Sequence, residues 1–137
     1  MRTLLYISIC SLFLSCSNSE DKIDDNLIDN GAAISIIGNE SINFGEIIQG
    51  EKVNLEFKIK NTGTGNLKIT KAKASCGCTV PEWPKKLLVP GAEGEIKVTF
   101  NSEHRIGDQK KTITLTTNAT PSIKILTIEG MVLPSEK

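Results

Sequence analysis

Aromatic residues are scarce: the 137-residue chain has one Trp, one Tyr and four Phe, 4% in all. Its core must therefore be built mainly from Ile, Leu and Val. Histidine occurs once, at His104, which leaves acid–base chemistry largely to carboxylates. Formal net charge is zero, and a chain with no basic excess is not a general nucleic-acid binder. No apolar run reaches the ~20 residues that a membrane-spanning helix needs. There is no Gly-rich phosphate loop ending in Lys-Ser/Thr, no His-Glu-x-x-His pair and no serine elbow. Internal repeats and long low-complexity runs are also missing. With no catalytic set in view, the expectation is a non-enzymatic protein without a resident cofactor.

What is present begins with an address. Arg2 supplies positive charge ahead of Leu4 to Leu14, an apolar run of 11 residues. That length suits the hydrophobic region of a signal peptide better than a buried core helix, because a polar stretch follows directly. The run ends in Phe13-Leu14-Ser15-Cys16, which resembles a bacterial lipobox, with Cys16 as the lipidated first residue of the mature chain. The lipobox pattern usually has Leu and then a small residue where Phe13 and Leu14 stand, and the alternative is a plain secretory peptide cut near Ser15. Stable lipid anchoring takes more than one chain, and bacterial lipoproteins carry several. Cys10 falls inside the segment that would be removed.

The neutral total hides an asymmetry. Residues 17–30 hold five acids (Glu20, Asp21, Asp24, Asp25 and Asp29) against Lys22 alone, whereas residues 31–137 hold 14 Lys+Arg and 11 Asp+Glu. Such a polar, acidic, patternless stretch reads as a disordered tether. It is either a solvated spacer or a sorting signal, since Glu20-Asp21 just after the lipidated cysteine resembles the surface-export signal of Bacteroidetes lipoproteins. The expected organisation is a signal peptide over 1–15, lipidated cysteine and tether over 16–33, and one folded domain over 34–137.

Within that domain, apolar residues recur at the strand period. Val53, Leu55, Phe57 and Ile59 alternate with Asn54, Glu56 and Lys58, and Ile96, Val98 and Phe100 alternate with Lys97 and Thr99. Strict alternation means a strand with one buried face. Shorter runs occur at Ile34–Ile37, Ile42–Ile47, Leu67–Ala74, Ile113–Leu115 and Ile123–Val132. Turn signals separate them, among them Gly38-Asn39, Gly50-Glu51, Pro90-Gly91, Gly107-Asp108 and Asn118–Pro121. Asn61-Thr62-Gly63 with Gly65 is read as a hairpin turn in which glycine takes positive φ. About seven short strands predict an all-β, immunoglobulin-like sandwich, with a small barrel as the alternative. Trp83, between Pro81 and Pro84, reads as a core plug rather than an exposed platform.

Besides Cys16, the mature chain keeps two cysteines, in Ser75-Cys76-Gly77-Cys78-Thr79. Four readings compete. A disulfide suits an oxidising compartment, and Gly77 could help the chain turn tightly enough to close it. Two unpaired cysteines can pack as small hydrophobes. Two thiolates suit a soft ion such as Cu(I), whereas tetrahedral zinc needs two further ligands. Thiol–disulfide exchange is the fourth, although its usual motif has two residues between the cysteines.

These motifs occur in a recognisable order: Asn43–Ile47, Phe57–Gly63, Ser75–Pro81, Pro90-Gly91, Ile96–Phe100, then Gly107 and Lys111–Thr114. Over residues 40–132 the chain resembles a bacterial domain family of unknown function, numbered 1573, common in Bacteroidetes lipoproteins. The family's motif falls on Cys76, Gly77 and Cys78 without departure. The order of elements is also similar to immunoglobulin-like domains related to major sperm protein. The resemblance implies a sandwich and an extracytoplasmic place, and it implies no activity. The expected job is that of a binding or scaffold lipoprotein of the bacterial outer membrane, periplasmic or surface facing. It would be held to the membrane by lipid and have an envelope protein or glycan as partner. The alternative is a copper-binding or thiol-redox protein using Cys76 and Cys78, and a hydrolase with unrecognised carboxylates comes last.

Overall fold

The computed structural model describes residues 31–136. Eight strands form two four-stranded sheets. Sheet A has the order β1 (Ile34–Ile37), β3 (Lys52–Asn61), β6 (Glu93–Asn101) and β5 (Thr79–Glu82). Sheet B has the order β2 (Ser41–Ile48), β8 (Ile123–Leu133), β7 (Gly107–Thr117) and β4 (Ile69–Ala74). All pairings are antiparallel except that of β2 with β8. The expected all-β, immunoglobulin-like sandwich is thus the architecture found.

The strand that the sequence did not announce is β5. It is four residues long and contains Pro81. Proline cannot donate to a ladder and is confined to sheet edges, and β5 is indeed the edge of sheet A. A two-residue period cannot be recognised in so short a run.

The alternation read in β3 and β6 packs as expected. Phe57, Ile59, Ile96, Val98 and Phe100 point inward from sheet A and meet Ile69, Ile113, Leu115, Leu126, Ile128 and Val132 from sheet B. Aromatic scarcity is offset by placement: the Phe100 ring is fully buried and stacks on Phe44 with centroids 5.2 Å apart. Phe44 can lie there because residue 130 is glycine, since a Cβ at that position would overlap the ring. Gly45 (φ +76°) forms a bulge in β2 that shifts its register on β8 between Asn43 and Glu46.

Consecutive strands mostly change sheets. The chain crosses between layers from β1 to β2, β2 to β3, β3 to β4, β4 to β5 and β6 to β7. The Asn61–Gly65 segment is therefore a crossover between sheets and not a hairpin. Its glycine serves a different purpose from the one expected: Gly63 has no positive φ, but a Cβ there would overlap the backbone of Gly31, Ala32 and Ala33. Ala32 is itself buried, against Leu67 and Ala119. The Pro90-Gly91 turn behaves as read, with Gly91 at φ +81° and Ala92 N–H donating to the Val89 carbonyl at 2.9 Å.

Asn61 is the polar centre of one end of the sandwich. It is fully buried. Its Nδ2 donates to the Gly65 carbonyl at 2.7 Å and the Leu88 carbonyl at 2.8 Å, and its Oδ1 accepts from Gly63 N–H at 3.0 Å. Ser102 does similar work at the other end. Its buried hydroxyl accepts from Gly50 N–H at 3.0 Å and lies 2.8 Å from the Glu51 carbonyl.

Candidate functional site

The Cys76-Gly77-Cys78 segment is the crossover from β4 in sheet B to β5 in sheet A, and it is pinned at both ends. Ser75 N–H donates to the Thr112 carbonyl of β7 at 2.9 Å, and Thr112 N–H donates back to Ser75 Oγ at 3.1 Å. On the other side Asn101 N–H, at the end of β6, donates to the Cys78 carbonyl at 2.9 Å. Between these ties Thr79 N–H reaches the Cys76 carbonyl at 3.3 Å, which makes the segment a tight turn. It brings the two Cα atoms to 5.3 Å, and a disulfide joins Cys76 to Cys78. This separation lies within the range a disulfide can span. The turn closes without a left-handed Gly77, whose φ is not positive.

Thr79 is almost completely buried, and its hydroxyl lies 3.6 Å from Cys76 Sγ and 3.7 Å from Cys78 Sγ. Cys78 packs against the hydrophobic core, while Gly77 is exposed. Gly77 and Cys78 line an open depression shared with Lys52 of β3 and with Glu103, His104 and Arg105 of the β6–β7 crossover. That crossover turns at Arg105 N–H to Ser102 carbonyl, 3.0 Å, and holds His104 at φ +59°. This region is uncommon outside glycine. His104 is mostly exposed and lies 3.6 Å from Glu103. Arg105 Nε is buried and, among the described residues, has no hydrogen-bond partner.

The fold thus brings the single histidine to the cysteine loop, which the sequence could not show. Lys52, Thr79 and Arg105 were not among the expected site residues. Thr79 directly follows Cys78, and what the sequence could not show is that its hydroxyl is buried between the sulfurs. Lys52 and Arg105 come from a distant strand and turn, and no motif spacing links them to the cysteines. Among the described residues no group of three or more His, Cys, Asp or Glu is arranged to hold a metal. While bridged, the two sulfurs also offer no thiolate to a soft ion. Cys16, Glu20 and Asp21 lie outside the described residues. No helix among the described residues is long and apolar enough to cross a membrane.

Trp83 fills a gap between the edges of the two sheets. It packs against the core, and its Nε1 donates to the Ile69 carbonyl of β4 at 3.2 Å. The Lys85 ammonium sits 3.0 Å above the ring, a cation–π contact.

The two outer faces of the sandwich differ. Sheet A presents a self-paired charge lattice, in which Lys60 faces Glu93, Lys58 faces Glu95 and Glu56 faces Lys97. Sheet B presents rows of another kind. Lys71, Thr116 and Ile123 lie in one register row, and Lys73, Thr114 and Ile125 lie in the next. Ile123 is 45% exposed and Ile125 51% exposed.

Comparison with known proteins extends this picture at the level of fold. No curated protein matches the chain. A protein of unknown function from Porphyromonas gingivalis W83 superposes with a TM-score of 0.66 at 11% identity, covering 79% of this chain and 51% of that one. The chain thus spans about half the length of that protein. The PapD-like domain 7 of human CEP192 superposes with a TM-score of 0.63 at 14% identity, covering 96% of this chain and all of that one. The secreted serine protease VesC from Vibrio cholerae gives a TM-score of 0.54 at 10% identity, over 86% of this chain and 26% of that one. At such identities these likenesses establish the sandwich and carry no activity across. The family described as protein of unknown function (DUF1573) matches residues 35–132, and the chain belongs to it.

Proposed function

We propose that this chain is a lipid-anchored, extracytoplasmic binding module that docks an envelope protein on the outer face of sheet B. The observation that carries the reading is the contrast between the two faces. On sheet A, Lys60, Lys58 and Glu56 face Glu93, Glu95 and Lys97 along its centre. Its exposed apolar side chains, Ile37 and Val80, are separated on the two edge strands, so it has no joined apolar centre for a partner. On sheet B the exposed side chains of Ile123 and Ile125 sit beside Thr114 and Thr116, with Lys71 and Lys73 at the rim. An apolar centre with a polar rim is the general form of a protein-binding patch. The lysine rim suits a partner with acidic residues around its own apolar centre.

The anchor rests on the sequence: Arg2, the apolar run from Leu4 to Leu14, and Cys16. A disulfide between Cys76 and Cys78 fits an oxidising compartment. The acidic segment containing Glu20 and Asp21 then separates the domain from the membrane surface and is the place for a sorting signal.

A photo-crosslinking residue at position 125, compared in intact cells with one at position 95 on sheet A, tests the docking face. The expected result is a discrete covalent adduct from position 125 alone. Equal labelling from both faces, or none from position 125, would reject it. The anchor is tested separately with Cys16→Ser, which is expected to lose lipid and leave the membrane fraction.

A further inference from the structure

We propose that Cys76–Cys78 is an exchange-active disulfide, attacked at Cys76 by a thiol of an exported protein and releasing Cys78 as a thiolate into the depression that Lys52 and Arg105 line. Three observations support it. The buried Thr79 hydroxyl is nearly equidistant from the two sulfurs, at 3.6 and 3.7 Å, so its one proton can turn to whichever sulfur carries charge. Lys52 and Arg105 line the depression beside Cys78 together with His104 and Glu103, so two fixed positive charges outnumber one carboxylate on the side of one sulfur. Arg105 Nε is buried and, among the described residues, has no partner while the disulfide is closed, and a thiolate is an anion to which its N–H can donate. Positive neighbours and hydrogen-bond donors are the features that stabilise a leaving thiolate.

The chemistry balances within the two proteins. The incoming thiolate sulfur forms a bond to Cys76 Sγ, the Cys76–Cys78 bond breaks, and its electron pair leaves on Cys78 Sγ. A second thiol of the same exported protein, once deprotonated, attacks its own sulfur in the mixed disulfide and frees Cys76. The exported dithiol is oxidised by two electrons and the Cys76–Cys78 pair is reduced to a dithiol, with protons conserved overall. A disulfide of the same compartment returns the pair to the starting state by the reverse exchange.

The test uses the full oxidised chain and 2-mercaptoethanol, a thiol with no other charge. It is compared with a linear Ser-Cys-Gly-Cys-Thr-Val peptide closed by the same bridge. Acid quenching, alkylation and intact mass give the rate, and peptide mapping gives the attacked sulfur. The expected result is a disulfide that opens about tenfold faster in the domain than in the peptide, the equivalent of one good hydrogen bond to the leaving group. The thiol is expected on Cys76. Arg105→Gln and Thr79→Val should each lose much of the advantage, with Thr79→Ser retaining it. Thermal melts identify any variant that has merely lost its fold, and the conserved hydroxyl of Thr79→Ser separates chemistry from packing. Equal rates in domain and peptide, adducts on Cys78, or Thr79→Ser as slow as Thr79→Val would overturn the assignment.

Discussion

Replacing Asn61 with alanine is expected to be among the most damaging single changes to this fold, although it removes only one small polar group. The side chain meets Gly63 N–H, the Gly65 carbonyl and the Leu88 carbonyl, with a longer contact from Ala33 N–H at 3.4 Å, and it is fully buried. The Leu88 carbonyl keeps a second partner in Leu67 N–H at 2.9 Å. The Gly63 and Gly65 groups are left without this partner, and each buried polar group so orphaned costs about 1–3 kcal/mol. The sum is roughly 2–6 kcal/mol, a large share of the ~5–15 kcal/mol that holds a typical domain together. For a domain of this size that is a fall in Tm of at least about 10 °C. Urea and thermal melts followed by circular dichroism and by the single Trp83 measure it. Asn61→Asp separates the donors from the volume. Its carboxylate can still accept from Gly63 N–H, but it faces the Gly65 and Leu88 carbonyls with no proton to give. Burial and those carbonyls raise its folded-state pKa above the unfolded value of about 3.9. The folded state then binds more protons than the unfolded one between the two values. The deficit relative to wild type should therefore be full above the folded pKa and shrink as pH falls through it. An alanine variant within about 1 kcal/mol of wild type, or an aspartate variant equal to wild type at neutral pH, would refute the reasoning.

Two further outcomes follow from the same geometry. Gly63→Ala should cost more than about 2 kcal/mol, because its Cβ meets backbone that cannot move aside, whereas Gly77→Ala, with open space around it, should melt like wild type; paired urea melts decide between them. The double replacement Cys76→Ala/Cys78→Ala should lower stability by only about 1.5 kcal/mol or less, since closing so short a loop removes little chain entropy. A much larger loss in equilibrium unfolding would make the bridge a structural clasp.

The parts of the fold that were legible are those where a side chain's role repeats along the chain. The alternation in β3 and β6 identifies the buried face directly, because a two-residue period admits one arrangement of inside and outside. Pro90-Gly91 carries its turn type in two adjacent residues. The less legible parts lie where the chain changes sheets. Asn61, Ser102 and the Cys76–Cys78 turn all sit at such crossovers, and each is tied to a partner remote in sequence: Leu88 for Asn61, Gly50 for Ser102, and Thr112 and Asn101 at the two ends of the cysteine turn. A polar residue that ends an alternating run looks like an exposed turn residue, yet Asn61 is fully buried because two layers close over it. Gly63 looked like a residue needing left-handed φ, yet it is required by close backbone approach, a long-range fact. The cysteine pair was visible as a motif with Thr79 beside it, but Lys52, His104 and Arg105 join it only through folding.

The docking face and the disulfide are also contiguous, which bears on how the two proposals relate. The outer rows of sheet B run from Ile123 and Ile125 across Thr116 and Thr114 on β7, and the next β7 residue in that series is Thr112. Thr112 is doubly bonded through its backbone to Ser75, the residue before Cys76. A protein seated on sheet B would therefore end its footprint on the Cys76 side of the bridge, with Cys78 on the side of the depression. Docking would convert attack on Cys76 from a bimolecular encounter into one within a complex, raising the effective thiol concentration without altering the bridge. A small thiol gains nothing from that arrangement. A charge placed at Ile125 should therefore slow exchange with the docked protein and leave exchange with 2-mercaptoethanol unchanged. If both reactions slowed together, the face would be acting on the bridge through the fold, and binding and exchange would have to be treated as one structural property.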